Sequence, residues 1–182
     1  MKLKLTNVRL AFPTLFEAKT VNGEGKPAFS ASFLIDPADP QVKAINAAIE
    51  QVAKDKWGAK ADAMLKTMRA TDKVALHDGD TKSNYDGFPG NLYISARNSV
   101  RPLVIDANKT PLSESDGKPY AGCYVNASVE LWAQDNNYGK RINATLGGVQ
   151  FFRDGDSFVG GGAASEDEFD DLSTGATADD IV

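Results

Sequence analysis

Tyr124, Asn126, Ser128, Glu130 and Trp132 stand at every second position of the segment Ala121–Ala133, with Cys123, Val125, Ala127, Val129, Leu131 and Ala133 between them. Alternation of this kind puts the first set on the wet face of a strand and the second in a core. A second run, Ile142, Ala144 and Leu146 against Arg141, Asn143 and Thr145, follows the polar loop Gln134–Gly139, so the two runs read as a β-hairpin. Trp132 and Tyr124 then share a solvated face with Asn126, Ser128 and the base Arg141. Aromatic rings beside a cation on an open sheet face can stack bases and neutralise phosphates, the chemistry of single-stranded nucleic-acid binding. The competing reading is that another element, such as a packed helix, covers Trp132.

Other chemistry is thinly represented. His77 is the only histidine and stands near Asp78 and Asp80 in a Gly-rich stretch. One imidazole without further ligands at a metal-binding spacing reads as a polar loop. No nucleophile elbow, P-loop or dinucleotide fingerprint is present, and Gly160–Gly162 is followed by alanine and acid, which would repel a phosphate. No catalytic residue, cofactor or metal is expected, and the chain is not read as an enzyme. Cys123 is the only cysteine, which excludes an internal disulfide and a Cys-based zinc site, and its apolar phase makes it a small core residue.

The elements that position these residues are mainly strands. Lys2–Phe12 reads as a strand with Leu3, Leu5, Val8, Leu10 and Phe12 inward, a phase slip near Thr6 and Asn7 marking a β-bulge, and an end at Pro13. Ala28–Asp36 alternates as a second strand after a Gly-rich turn. Asp39 reads as an N-cap with Pro40 at the first helical position, opening a helix with Val42, Ile45, Ile49 and Val52 on one face and an end near Gly58. A second helix is expected over Ala59–Ala70. Lys54, Lys56, Lys60, Lys66 and Arg69 cluster here, either as a solvated helix face or as phosphate contacts. His77–Gly90 reads as loop. Leu92, Ile94 and Ala96 then point inward while Tyr93, Ser95 and Arg97 point outward, repeating the pattern of an aromatic and a base on the wet face. Arg101–Asp106 is a further short strand. Gly147 and Gly148 mark a bend at a barrel corner before Val149, Phe151 and Phe152 resume the alternation.

The 182 residues suffice for one domain, assigned to 1–154, followed by a Gly-rich linker and acidic disordered tail over 155–182. Net charge is −5, but no Lys or Arg follows Arg153, and nine of the 25 acids lie beyond it. The body keeps all 20 basic residues against the other 16 acids, a net of +4. A basic body with an acidic tail suits a nucleic-acid partner. No apolar run approaches the ~20 residues a membrane helix needs, and Met1–Thr6 lacks the apolar stretch of a signal peptide.

Several phrases resemble a known family. They are Leu5–Pro13, Phe33–Asp36, Tyr85–Ala96, Gly122–Ala127, Trp132–Lys140 and Gly148–Gln150, in that order over roughly Met1–Asp154. Together they resemble a family of bacteriophage single-stranded-DNA-binding proteins long catalogued as a domain of unknown function. The resemblance implies an OB-like antiparallel β-barrel with helical insertions, a role in phage DNA replication or recombination, and a location in the cytoplasm of the infected bacterial host.

The site residues follow from strand phase. Tyr93, Tyr124 and Trp132 are expected to stack bases, with Tyr85, Phe88 and Tyr138 assisting from flanking loops. Arg97, Arg141, Lys140 and Lys82 are expected to neutralise phosphates, with Arg101 a weaker candidate. Tyr85 and Phe88 could instead plug the barrel end, and Arg97 and Arg141 could form surface salt bridges. In the tail, Glu166, Asp167, Glu168, Asp170, Asp171, Asp179 and Asp180 are expected to compete with DNA for the basic groove, and Phe169 and Ile181 to anchor partner proteins. The expected partners are single-stranded DNA, replication or recombination proteins, and further copies of the chain on DNA. Two rivals remain: a protein-interaction or virion-associated β-domain that binds no nucleic acid, and a nuclease using Asp78, Asp80 and Asp86.

Overall fold

The alternating runs form strands β1 (Lys2–Val21), β2 (Glu24–Ile35), β3 (Leu76–Asp78), β4 (Leu92–Asn98), β5 (Leu103–Ile105), β6 (Tyr124–Asn136) and β7 (Gly139–Arg153). The helical patterns form α1 (Gln41–Trp57) and α2 (Ala61–Ala70), joined by a 3-10 turn at Gly58–Lys60. The computed structural model describes residues 1–21, 23–158, 169, 170, 172 and 173.

β1 pairs antiparallel with both β2 and β6, β2 with β4, and β6 with β7. A parallel contact between Arg97 of β4 and Thr145 of β7 closes the ring. The result is a five-stranded barrel in the order β1-β2-β4-β7-β6, with β3 added beside β4 and β5 beside β7. The helices lie between the second and third barrel strands, as the order of the sequence patterns requires.

Inward positions fill the barrel. Leu5, Leu10, Phe33, Ile94, Leu131, Ile142 and Leu146 are all almost wholly buried, and Ile45, Ile49 and Val52 of α1 with Leu65 and Met68 of α2 join the same core. Cys123 is buried among them, and the loss of water around its thiol pushes its pKa from the ordinary 9.0 to about 11.

The expected bulge near Thr6 and Asn7 is present. The β1–β6 register slips between Leu5 and Val8, and Asn7 takes φ +52. Gln41 bridges the bulge: its Oε1 accepts the Thr6 N–H at 2.7 Å and its Nε2 donates to the Thr6 carbonyl at 2.7 Å. Backbone groups released from the ladder are thereby satisfied by the first residue of α1. The helix starts one residue later than expected, with Pro40 and not Asp39 at the cap position, and Asp39 accepts the Gln41 N–H at 2.9 Å from just outside it.

Three expectations need correction. β1 does not end at Pro13 but runs on to Val21, because a second register slip between Ala11 and Thr14 absorbs the proline. Phe12 takes φ +48 at that slip and faces solvent, 49% exposed, while Ala11 turns inward. The stretch from His77 onward is not all loop, since β3 and a 3-10 turn at Gly79–Lys82 occupy its start. Gly147 does sit at a register slip opposite Ser128 and Val129, yet β7 continues through it. A side chain on Gly147 would start 3.1 Å from the Ser128 carbonyl oxygen, so the close approach of the strands favours glycine.

Candidate nucleic-acid interface

Three barrel strands present their outer faces to one concavity. β4 contributes Ser95 and Arg97, β6 contributes Trp132 and Gln134, and β7 contributes Arg141, Asn143 and Thr145, with His77 of β3 at one end. These residues line an open cleft of about 410 Å³, and no Asp or Glu is among its lining. Trp132 lies opposite Asn143 in the β6–β7 ladder and is 44% exposed. Its indole Nε1 donates to the Thr145 hydroxyl at 3.0 Å. Asn143 donates to the Gln134 side-chain oxygen at 2.8 Å. Cross-strand bonds thus hold the polar floor and fix the ring. Among the described residues neither Arg97 nor Arg141 forms a salt bridge, so both cations are available to an anionic ligand.

Strand phase therefore places Trp132, Arg97 and Arg141 together. Asn143, Thr145 and Ser95, whose outward phase was legible, complete the cleft with Gln134, which the sequence assigned to the hairpin loop but which β6 carries as strand, paired with Arg141. Small polar residues carry no distinguishing signal in a sequence. His77 joins them through β3, which three residues were too short to announce.

Tyr93 departs from the expectation of an exposed stacking ring. Its phase is outward, but the segment 79–91 folds over it and leaves it 4% exposed. Its ring stacks on His77 at 4.9 Å and meets Phe88 edge-on at 5.1 Å. Burial raises the pKa of its hydroxyl, against a smaller opposing effect of a hydrogen bond with Thr81. Phe88, which belongs to that segment, is fully buried and packs with Ala11, Leu34 and Tyr93, so it plugs the fold and offers no surface to a base. The Lys82 ammonium stands 5.1 Å from the Tyr93 ring centre and 5.9 Å from that of Phe88.

The remaining candidates are dispersed. Tyr124 lies eight residues before Trp132, about 26 Å along an extended strand, and the Arg153 guanidinium covers its ring at 3.6 Å. Tyr138 is 89% exposed at the hairpin tip. Lys140 lines a separate groove between the hairpin and α2. Arg101 donates to the Phe16 carbonyl at 2.6 Å and stands outside the cleft. Tyr85 is 44% exposed and meets Phe12 edge-on at 5.1 Å.

Asp78 and Asp80 serve their own loop. Asp78 accepts the Asp80 N–H at 2.9 Å, and Asp80 accepts the Gly90 N–H at 2.8 Å. Among the described residues no three His, Cys, Asp or Glu gather as metal ligands, and no helix is long and apolar enough to cross a membrane. Residues 155–158, assigned in sequence to the linker, lie against the barrel: Arg9 donates to the Asp156 carbonyl at 2.8 Å, and the Phe158 N–H donates to Ala121 at 3.1 Å. Phe169 and Asp170 are exposed. Glu166, Asp167, Glu168, Asp171, Asp179, Asp180 and Ile181 lie outside the described residues.

The whole chain, residues 1–182, matches the family described as Enterobacter phage Enc34, ssDNA-binding protein. The chain belongs to that family. A curated relative, "Putative protein p50" of Acyrthosiphon pisum secondary endosymbiont phage 1, is 53% identical over 176 residues, 95% of each chain. The single-stranded DNA-binding protein from bacteriophage Enc34, solved in complex with ssDNA, is 30% identical with a TM-score of 0.74, covering 87% of this chain and 89% of that one. The single-stranded DNA-binding protein gp2.5 of bacteriophage T7 shares the fold at 12% identity and a TM-score of 0.56, over 90% of this chain and 98% of that one. The mainly β barrel with helical insertions, expected from the resemblance, is therefore the fold of the family.

Proposed function

We propose that this chain binds single-stranded DNA in the cleft between β4, β6 and β7, without turnover. The observation that carries the reading is the grouping of Trp132 with Arg97 and Arg141, neither of which forms a salt bridge among the described residues, in a cleft whose described lining holds no Asp or Glu. Trp132 stacks a base, and the two guanidinium groups neutralise flanking phosphates. Because every base has an aromatic face, such binding depends little on sequence. Counterion release makes it weaken as salt rises. Membership of a phage ssDNA-binding family and likeness to a protein solved with ssDNA support the same reading. Coating and protecting exposed strands during phage replication or recombination, inside the infected host, is the corresponding role.

The acidic tail adds regulation to this reading. Seven acids between Glu166 and Asp180 face a body of net charge +4, so the tail competes with DNA for the basic cleft at low salt. Displaced by DNA, it presents Phe169 and Ile181 to replication or recombination proteins. Titration with oligo-dT at several salt concentrations tests the central reading. Affinity that falls as salt rises supports it, and absence of binding at low salt by chains with and without the tail overturns it.

A further inference from the structure

Phe12 is held in a conformation that its type disfavours. Its φ of +48 lies in the left-handed region, where side chains clash with the backbone and glycine or asparagine is the usual occupant. The register slip between Ala11 and Thr14 would be served by a glycine. Instead the position carries a large apolar ring and turns it to solvent, 49% exposed. The backbone gains nothing from that choice and half of the ring is left in water; strain of this kind marks functional positions.

The neighbours of Phe12 give the ring a use. Tyr85, itself 44% exposed, meets it edge-on at 5.1 Å, and the buried Phe88 supports it at 5.7 Å. Phe88 in turn abuts Tyr93 at 5.1 Å, and Tyr93 stacks at 4.9 Å on His77, which lines the Trp132 cleft. A continuous file of rings therefore leads from the cleft to the exposed Phe12–Tyr85 pair, with Lys82 beside its middle members.

We infer that Phe12 and Tyr85 form a second base-stacking platform, which engages the same DNA strand after it leaves the Trp132 cleft. This rests on the cleft reading and deepens it: Phe12 is a binding residue, and the buried Phe88 and Tyr93 are positioning residues beneath it. The occupant is a nucleic-acid base because the file of rings links the platform to the cleft through the buried Phe88 and Tyr93, and the Lys82 ammonium stands by these two connecting rings, where the backbone of a strand running from one site to the other would pass. A tail or a second protein copy would also require an apolar surface, but neither requires continuity with the cleft.

The test compares Phe12→Gly and Tyr85→Ala with the parent chain, using oligo-dT of about four and about sixteen nucleotides, the span of lengths a barrel of this type covers. Phe12→Gly relieves the positive φ but loses the ring's contacts with Tyr85 and Phe88, so its thermal midpoint is measured beside its affinity to show that the variant is folded. Its affinity for the long oligonucleotide should fall about tenfold, as should that of Tyr85→Ala, while Trp132 quenching by the short one stays unchanged. Parent-like affinity of both variants for the long oligonucleotide, with the parent binding normally, would overturn the second platform and leave the cleft standing. No binding by the parent would overturn both.

Discussion

Trp132 and Thr145 are joined across the β6–β7 ladder by a hydrogen bond of 3.0 Å from the indole Nε1 to the hydroxyl. The bond makes a half-exposed tryptophan a fixed surface. A ring that is already oriented loses less side-chain entropy when a base stacks on it. Thr145 is also the residue at which β7 meets Arg97 of β4, so barrel closure itself brings the ring and the guanidinium into one cleft.

Arg97 and Arg141 are expected to act through phosphate charge. Replacing either by Gln should weaken oligo-dT binding for all sequences alike. The slope of log affinity against log salt should fall by about 0.7 for each cation removed, the value for single strands. Affinities measured over a range of salt concentrations check this; an unchanged slope in both variants would remove these residues from the backbone contacts.

Tyr93 should matter for stability and not for direct stacking. Tyr93→Ala removes a ring that is 4% exposed, and core aromatics replaced by Ala typically cost about 3–5 kcal/mol. Tyr93→Phe keeps the His77 and Phe88 contacts and should bind oligo-dT like the parent. Chemical denaturation and titration of the two variants separate the roles.

Cys123 offers a pH test. With its pKa raised to about 11 by burial, the thiol stays protonated in the folded chain where an unfolded chain ionises it near 9.0. This contribution to stability is fully present below the unfolded pKa and is lost as pH rises through the folded one. Ellman's reagent at pH 8 should react slowly with the native chain and promptly after denaturation. Rapid reaction of the native chain would contradict the burial.

Deleting 165–182 should tighten binding at low salt and change little at high salt, because competition by a charged tail is screened. Equal affinity of the full and shortened chains at every salt concentration would dismiss autoinhibition.

The sequence made the barrel strands legible wherever one face is buried and the other wet. Leu131 and Trp132, or Ile142 and Arg141, reveal their faces by alternation alone. The bulge at Asn7 was equally legible, because a slip of phase in an apolar pattern has few other causes. Phe12 was misplaced because a positive φ at a non-glycine residue leaves no mark in a hydrophobic pattern. Tyr93 was given its correct phase but the wrong environment. Whether a loop folds over an outward residue depends on tertiary contacts such as Gly79 N–H to the Asn91 carbonyl, 2.8 Å, which no local pattern encodes. Tyr124 and Trp132 share a strand face, yet the length of β6 and the Arg153 guanidinium keep Tyr124 out of the cleft.

The most direct test of the cleft reading is intrinsic fluorescence during titration with oligo-dT, comparing the parent with Trp132→Phe. Trp57, the other tryptophan, is half-buried and donates its Nε1 to Asp135 at 3.0 Å, so it should report little. Strong quenching in the parent, loss of that quenching in Trp132→Phe, and an affinity that declines as salt rises are expected. Binding by the parent with equal quenching in both chains would place the bases elsewhere and contradict the account.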